Sequence, residues 1–406
     1  MIEIRNCTDD ELTLFFRTLA TAFGDEIPAS EVERIRNVLP LDRTFAAFEG
    51  DRLVGSSGSF PFQMTVPGAS VAASGVTMVG VLPSHRRKGV MSRMMRALID
   101  DAHARDEPVA ILWASEEAIY QRFGYGLTSN QGRIDIERHK TRFLGNPEPV
   151  GTIRMIDLEQ ARDVLPAIYD AVLPTRPGMV ARSADWWRHE TLADPERSRG
   201  GGSPKFCCVF SDEGRDRGYA IYRTAGDWAD DGTPDSYLNV REAVAVDPVA
   251  YREVWRFLFG VDLVDRIKAW FLPADLPLAL MLEDPRRLRF AKSESLWLRI
   301  VDVAAALEAR SYAADGEISF ALTDMYCPWN EGEWTLRVSG GRGDVTRGDG
   351  AELSLDVSAL AAAYLGGFTF AELERALRVE GRTEGAVARA DAMFRTDIAP
   401  WCVESF

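Results

Sequence analysis

Residues 76–113 set out a strand, a basic glycine-bearing loop, a helix and a second strand, and this order narrows the folds open to the chain more than any other feature. Val76 to Val81 reads as a strand closed by Pro83, and Arg86-Arg87-Lys88-Gly89 follows directly. Met91, Met94, Met95, Leu98 and Ala102 then recur at helical spacing, and Pro108 to Trp113 is a short apolar run typical of a buried strand. The helix starts where the basic residues end, so its first amide groups and the positive end of its dipole can face a phosphate. Gly89 allows close approach of the backbone, and Arg86 and Arg87 suit charge-assisted bonds to phosphate oxygens. A lone R-R-K-G is more often a solvated turn; the strand and helix around it give it meaning.

Upstream, helices are expected over Asp9 to Ala22 and about Ser30 to Val38, with strands over Arg43 to Glu49 and Leu53 to Phe60 around the turn Gly50-Asp51. A second unit begins near Gly151 with a helix over Glu159 to Val172 and a hairpin-like pair over Phe206 to Thr224. Its Ala243-Val244-Ala245-Val246-Asp247-Pro248 leads into a helix through Trp255 and Phe259, an echo of the first unit that reads as an internal duplication. The echo is incomplete. Asp247 to Tyr251 stand where the first unit has Pro83 to Arg87, without the glycine or the arginine pair. A third unit from about Leu296 mixes helices with strands such as Glu333 to Ser339 and ends in the tail Ile398 to Phe406.

At 406 residues, two or three domains are expected. The charge of −15 argues against a nucleic-acid partner and weakly favours cationic ones, although acidity also serves solubility. No apolar run reaches about 18 residues and the N-terminus has no signal-like pattern, so neither membrane nor secretion is expected. Five scattered cysteines without C-x-x-C spacing speak against disulfides and zinc and fit a reducing cytoplasm.

The loop resembles the acetyl-coenzyme A loop of the GNAT superfamily of N-acetyltransferases, Q/R-x-x-G-x-G/A. Arg86-x-x-Gly89-x-Met91 matches it except at Met91, where the small residue is replaced. Downstream, Ser115-Glu116-Glu117-Ala118-Ile119-Tyr120-Gln121-Arg122-Phe123-Gly124-Tyr125-Gly126 is similar to the enhanced intracellular survival (Eis) family. Leu296-Trp297-Leu298-Arg299-Ile300, Ala304 to Arg310, Tyr364-Leu365-Gly366-Gly367 and the acidic-aromatic end at Phe406 agree with that family, so the likeness spans nearly the whole chain.

The resemblance implies an α/β (α+β) fold: two tandem GNAT-like units with mixed sheets, over residues 1–148 and 149–292, and a sterol carrier protein-like α+β domain over 293–406. Only the first unit is expected to bind acetyl-CoA, through Val79, Gly80, Val81, Arg86, Arg87, Lys88, Gly89, Val90 and Ser115, with no metal. It further implies a homohexamer that acetylates amines of aminoglycosides or lysine side chains. Amide formation needs a base for the amine and a donor for the thiolate. By resemblance Tyr125 is the acid and the α-carboxylate of Phe406 the base, while Asp25, Glu26 and Glu404 are candidates for holding substrate ammonium groups. The competing expectation is a non-catalytic protein whose carrier-like domain binds an apolar ligand.

Overall fold

A computed structural model describes residues 2–232 and 234–406. The first strands in chain order are β1 (Ile2–Arg5), β2 (Ala46–Glu49), β3 (Arg52–Val66), β4 (Ala69–Val81), β5 (Val109–Trp113) and β6 (Gly126–Leu127). They are followed by β7 (Asn130–Glu137), β8 (Thr152–Ile156), β9 (Phe206–Asp212), β10 (Arg215–Trp228), β11 (Pro234–Ala245), β12 (Arg266–Pro273) and β13 (Ala291–Glu294). The last are β14 (Leu296–Ile300), β15 (Gly316–Thr323), β16 (Gly332–Ser339), β17 (Arg342–Arg347), β18 (Leu353–Asp356) and β19 (Val379–Gly381). They form two 7-stranded sheets, β1-β2-β3-β4-β5-β14-β6 and β13-β7-β12-β11-β10-β9-β8, and a 5-stranded sheet β17-β16-β15-β18-β19.

By contact the chain divides into two compact units: residues up to Ser129 with Ser295–Asp397 and Glu404–Phe406, and Asn130–Glu294 with Ile398–Val403. Two strands lie apart from the boundaries expected at 148/149 and 292/293. β7 pairs with β12 in the second sheet, and β14 inserts between β5 and β6 in the first. β14 is an apolar run and β7 alternates Ile134 and Ile136 with polar residues, but a strand's partner is chosen by packing at long sequence separation, which local pattern does not encode.

In the first unit, helices α1 (Leu12–Phe23), α2 (Ala29–Arg36) and α3 (Val90–Ala104) accompany the sheet. Phe15 and Phe16 of α1 are buried edge-to-face against each other. The predicted stripe on α3 is buried at Met94, Met95, Leu98 and Ala102, and it shares a core with Val76, Tyr120, Phe123, Tyr125, Trp297 and Cys327. The strand expected over Leu53 to Phe60 is the start of a long β3–β4 hairpin turning at Pro67-Gly68, where Gly68 takes φ 74. In the 5-stranded part of this unit, Ile318, Phe320, Leu353, Leu355, Leu360, Phe370, Ala390 and Phe394 close on a cavity of about 10 Å³.

The second unit repeats the plan of the first: an antiparallel β10–β11 pair, a helix over Pro248–Gly260, and a parallel neighbour β12. Trp255, Leu258, Ile267 and Ala269 fill the core on one side, while Tyr169, Trp187 and Tyr219 cluster with Trp401 and Val403 in another.

Candidate active site

The site of interest begins where β4 leaves β5. Their parallel register covers only Ala73 to Gly75 against Val109 to Ile111, after which β4 continues to Val81 while β5 stays paired with β14 through Trp113. A bulge drives the separation. Between the pairs Gly58↔Thr77 and Ser56↔Gly80, Ser57 opposes both Met78 and Val79, and Met78 adopts φ 57. Such an insertion bends its strand and interrupts the ladder. The edge of β4 from Val76 to Val81 therefore offers backbone groups free of a neighbouring strand, and a chain of amides can pair with them.

The strand points into the basic loop. Pro83–His85 form a single 3₁₀ turn, Arg87 and Gly89 are both left-handed (φ 61 and 75), and Gly89 is the N-cap of α3. With no side chain, Gly89 caps nothing. Its carbonyl accepts the first helical hydrogen bond from Arg93 N at 3.2 Å, so the preceding amides of Val90, Met91 and Ser92 have no intrahelical acceptor. A Cβ built on Gly89 would meet nothing within 4 Å, which means the space before these amides is open. An uncapped helix start facing open space and flanked by exposed Arg87 and Lys88 is an anion site.

Arg86 and His85 do different work from their neighbours. Arg86 Nη2 donates to Ala22 O at 2.8 Å and Nε lies 3.4 Å from Val81 O, tying the end of α1 to the end of β4. Gly80 makes that contact close: a Cβ there would come within 3.1 Å of Ala22 Cβ. His85 is buried, with Nδ1 2.9 Å from Ser84 Oγ and Nε2 3.1 Å from Glu49 Oε2, and its hydrogen bond holds the Glu49 carboxyl below the usual range. His85 is thus an anchor of the loop. Arg122, overlooked in the sequence, brings Nη2 to 3.6 Å from Met91 Sδ and adds a cation near the helix start. The R-F-G-Y-G segment was the signal that could have pointed to it.

The remaining candidates separate into exposed and buried groups. Asp25 and Glu26 are exposed in the α1–α2 loop after the left-handed Gly24, where Asp25 Oδ1 accepts from Glu26 N at 2.7 Å. Ser115 is exposed, and its side chain acts against the burial that raises the Tyr120 phenol. Glu404 is buried and the Phe406 ring rests on β3, 4.9 Å from Phe62 and 6.4 Å from Phe60. The end of the chain is therefore anchored by aromatic packing within the first unit. Tyr125 is fully buried behind Gly124 (φ 82), edge-on to Tyr120 at 6.0 Å, and among the described residues its hydroxyl has no hydrogen-bond partner. Burial pushes the phenol well above its ordinary value, opposed by the charge of Arg299. A buried hydroxyl without a partner is costly and rare in a residue that serves packing alone.

In the second unit β11 and β12 likewise pair in parallel only over Tyr237–Val240 and Arg266–Ala269 before parting. The helix start differs. Asp247 caps it, Oδ1 accepting from Val249 N at 2.8 Å and Ala250 N at 2.9 Å, while Oδ2 is held by Arg217 at 2.7 Å. Pro248 contributes no amide. The anion site there is filled by the chain's own carboxylate.

Comparison with known proteins agrees with this geometry. Two family models described as acetyltransferase (GNAT) domains match residues 3–128 and 178–300, and a sterol carrier protein domain model matches 303–403. A protein of Streptomyces avermitilis named as an N-acetyltransferase is 41% identical, covering 100% of this chain and 99% of its own. N-acetyltransferase Eis of Mycobacterium tuberculosis is 32% identical, with 96% of each chain covered. The crystal structure of Eis1 from Mycobacterium abscessus superposes with a TM-score of 0.87 at 33% identity over 100% of both chains. GNAT domains use acetyl-CoA, and the parted β4 edge with the open α3 start fits its amide-bearing arm and pyrophosphate. Among the described residues no helix is long and apolar enough to cross a membrane. The chain belongs to the Eis family of GNAT N-acetyltransferases.

Proposed function

We propose that this acetyltransferase moves the acetyl group of acetyl-CoA directly onto amines of polycationic acceptors, aminoglycosides or lysine side chains, as a cytoplasmic homohexamer. The observation that carries the reading is the parting of β4 from β5 directly before an uncapped helix start. Val79, Gly80 and Val81 hold the pantetheine amides, and Arg87, Lys88, Gly89 and Val90 hold the pyrophosphate. Arg86 acts by fixing the loop to α1, and Ser115 lies on the segment leading to Tyr125.

In this reading the amine nitrogen attacks the thioester carbonyl, Tyr125 protonates the departing thiolate, and the Phe406 carboxylate accepts the amine proton. An α-carboxylate is a weak base in water, so it needs a desolvated setting or a water relay to act. The packing of its ring on Phe60 and Phe62 supports the first option. Exposed Asp25 and Glu26, with Glu404, attract the other ammonium groups of a polycation. Burial leaves Tyr125 short of solvent, so proton transfer is expected only once substrate fills the cleft.

The experiment is thiol release from acetyl-CoA with a panel of amines, followed by mass spectrometry of the products. Amine-dependent release with an added acetyl mass supports the reading, and no release with any amine refutes it. The carrier-protein alternative has less support, because a cavity of about 10 Å³ has room for about one water and none for an apolar ligand. Light scattering of the purified protein tests the hexamer.

A further inference from the structure

Arg299 lies on β14, two residues from Trp297 and so on the same face of the sheet. Trp297 shares its cluster with Tyr125, Phe123 and Cys327, which means that Arg299 carries a guanidinium into an apolar core, with none of it exposed. Removing an ion from water is costly unless its hydrogens are bonded. Nη2 is bonded, at 2.5 Å from Asp324 Oδ2, but among the described residues Nε and Nη1 have no hydrogen-bond partner. Asp324 by contrast is saturated. Its Oδ1 accepts from Tyr326 N at 3.1 Å and Cys327 N at 2.9 Å, and its Oδ2 also from Asn330 Nδ2 at 3.0 Å.

A residue kept only to neutralise Asp324 should have its remaining N–H groups satisfied. Nη1 instead borders the turn that launches Tyr125. A Cβ on Gly124 would lie 1.7 Å from Arg299 Nη1 and 2.7 Å from Cζ, so the guanidinium is pressed against the Gly124 backbone. The Tyr125 hydroxyl, also buried and unpartnered, belongs to the same core. One core thus encloses an under-bonded cation and a phenol with no acceptor.

We infer that Arg299 is a positioning residue for the Tyr125 hydroxyl, its charge favouring the phenolate that Tyr125 becomes when it gives up its proton. The inference rests on the reading of Tyr125 as the acid. As the amine N–C bond forms, the thioester C–S bond breaks and its electron pair goes to sulfur. Tyr125 supplies the proton that makes the free thiol. The attacking nitrogen loses a proton to the base, and an equal proton returns to the phenolate through solvent, so acetyl-CoA and amine become amide and coenzyme A. Burial alone would hold the phenolic proton too tightly, and Arg299 is the leading influence against it. In a water-poor core that charge is little screened.

The test is a mutant cycle. Arg299→Met, paired with Asp324→Asn so that no carboxylate is stranded, and Arg299→Lys are each made with Tyr125 intact and with Tyr125→Phe. Folding is checked by melting and acetyl-CoA affinity. With Tyr125 intact, the Met variant should lower kcat about 10- to 100-fold, less than loss of the acid itself, with KM for acetyl-CoA unchanged. Arg299→Lys, which keeps the charge, should restore most of it and serves alone if the Met variant fails to fold. In the Tyr125→Phe background neither change should lower kcat further.

Equal losses in both backgrounds would make Arg299 structural and overturn the inference. Full activity of the Met variant while Tyr125→Phe is impaired would overturn it and leave the acid in place. If only the Lys variant folds, a loss in it as deep as that of Tyr125→Phe would overturn the charge argument. Full activity of Tyr125→Phe would remove both the acid and its helper.

Discussion

Gly89→Ala separates cofactor binding from stability at a single atom. Gly89 sits at φ 75, and nothing lies within 4 Å of where its Cβ would be, so the methyl group meets no steric obstacle in the protein itself. The folding cost is then the left-handed backbone alone, about 1 to 2 kcal/mol for a residue with a Cβ. In a chain of 406 residues this shifts the melting temperature by no more than about 2 to 4 °C. The methyl group does, however, enter the space before the free amides of α3. If it displaces one charge-assisted bond, about 1.5 to 3 kcal/mol is lost, a fall of about 10- to 100-fold in acetyl-CoA affinity. Gly214→Ala is the matched control, since Gly214 has φ 74 and equally empty surroundings but lies between β9 and β10 of the second unit. Calorimetric titration of both variants should show similar melting shifts and a weakened Kd for Gly89→Ala only. Equal affinities would refute the assignment of the helix start as the pyrophosphate site.

Tyr125→Phe should lower kcat by about 10² to 10⁴ with acetyl-CoA affinity unchanged. Because it deletes a buried hydroxyl without a partner, its melting temperature should hold or rise, and a fall would show that the hydroxyl is bonded in solution. A C-terminal extension converts the Phe406 carboxylate to an amide and should abolish turnover while sparing acetyl-CoA binding. The same tag at the N-terminus should be silent, and equal activity of the two would send the search for the base to Glu404, Asp25, Glu26 or a water relay. Asp247→Ala removes a helix cap and should cost about 1 kcal/mol in denaturant titration. A second mole of coenzyme A bound by the unaltered chain would overturn the view that this carboxylate closes the second site.

Local pattern carried much of this architecture. The α3 stripe, the helix over Glu159 to Val172 and the strand over Glu333 to Ser339 follow from local pattern, and the structure places them within a residue or two of expectation. What depended on distant partners did not follow. Leu296–Ile300 is a strand by composition, yet its place between β5 and β6 is set by a partner more than a hundred residues away. The site divides in the same manner. Gly89 and Arg87 stood out in the sequence because a basic turn directly before an amphipathic helix can face an anion, and the structure places both at the open start of α3. Arg86 could not be told from Arg87, since only the fold shows its guanidinium turned to Ala22 O. Arg299 sat inside a recognised segment without a role, because its meaning lies in the Gly124 and Asp324 it meets in space.

The two GNAT units share a plan and differ at one helix start. Both part a central strand from its parallel neighbour, at Gly75 and at Val240, and both follow that strand with a helix. The sheet geometry therefore does not set the two units apart. Their helix starts do. In the first unit Gly89 leaves three amides without an intrahelical acceptor and exposed Arg87 and Lys88 stand nearby, a concentration of positive potential that suits an external diphosphate. In the second, Asp247 binds two of those amides and pairs with Arg217, so an incoming phosphate would have to displace a tethered anion and then face its charge. Pro248 removes a further donor. An aspartate at this position stabilises the helix and occupies the place of an incoming anion by the same hydrogen bonds. Gly89, which caps nothing and carries positive φ, has the opposite balance: it is a poor stabilising choice and retains its sense only where an anion completes the helix.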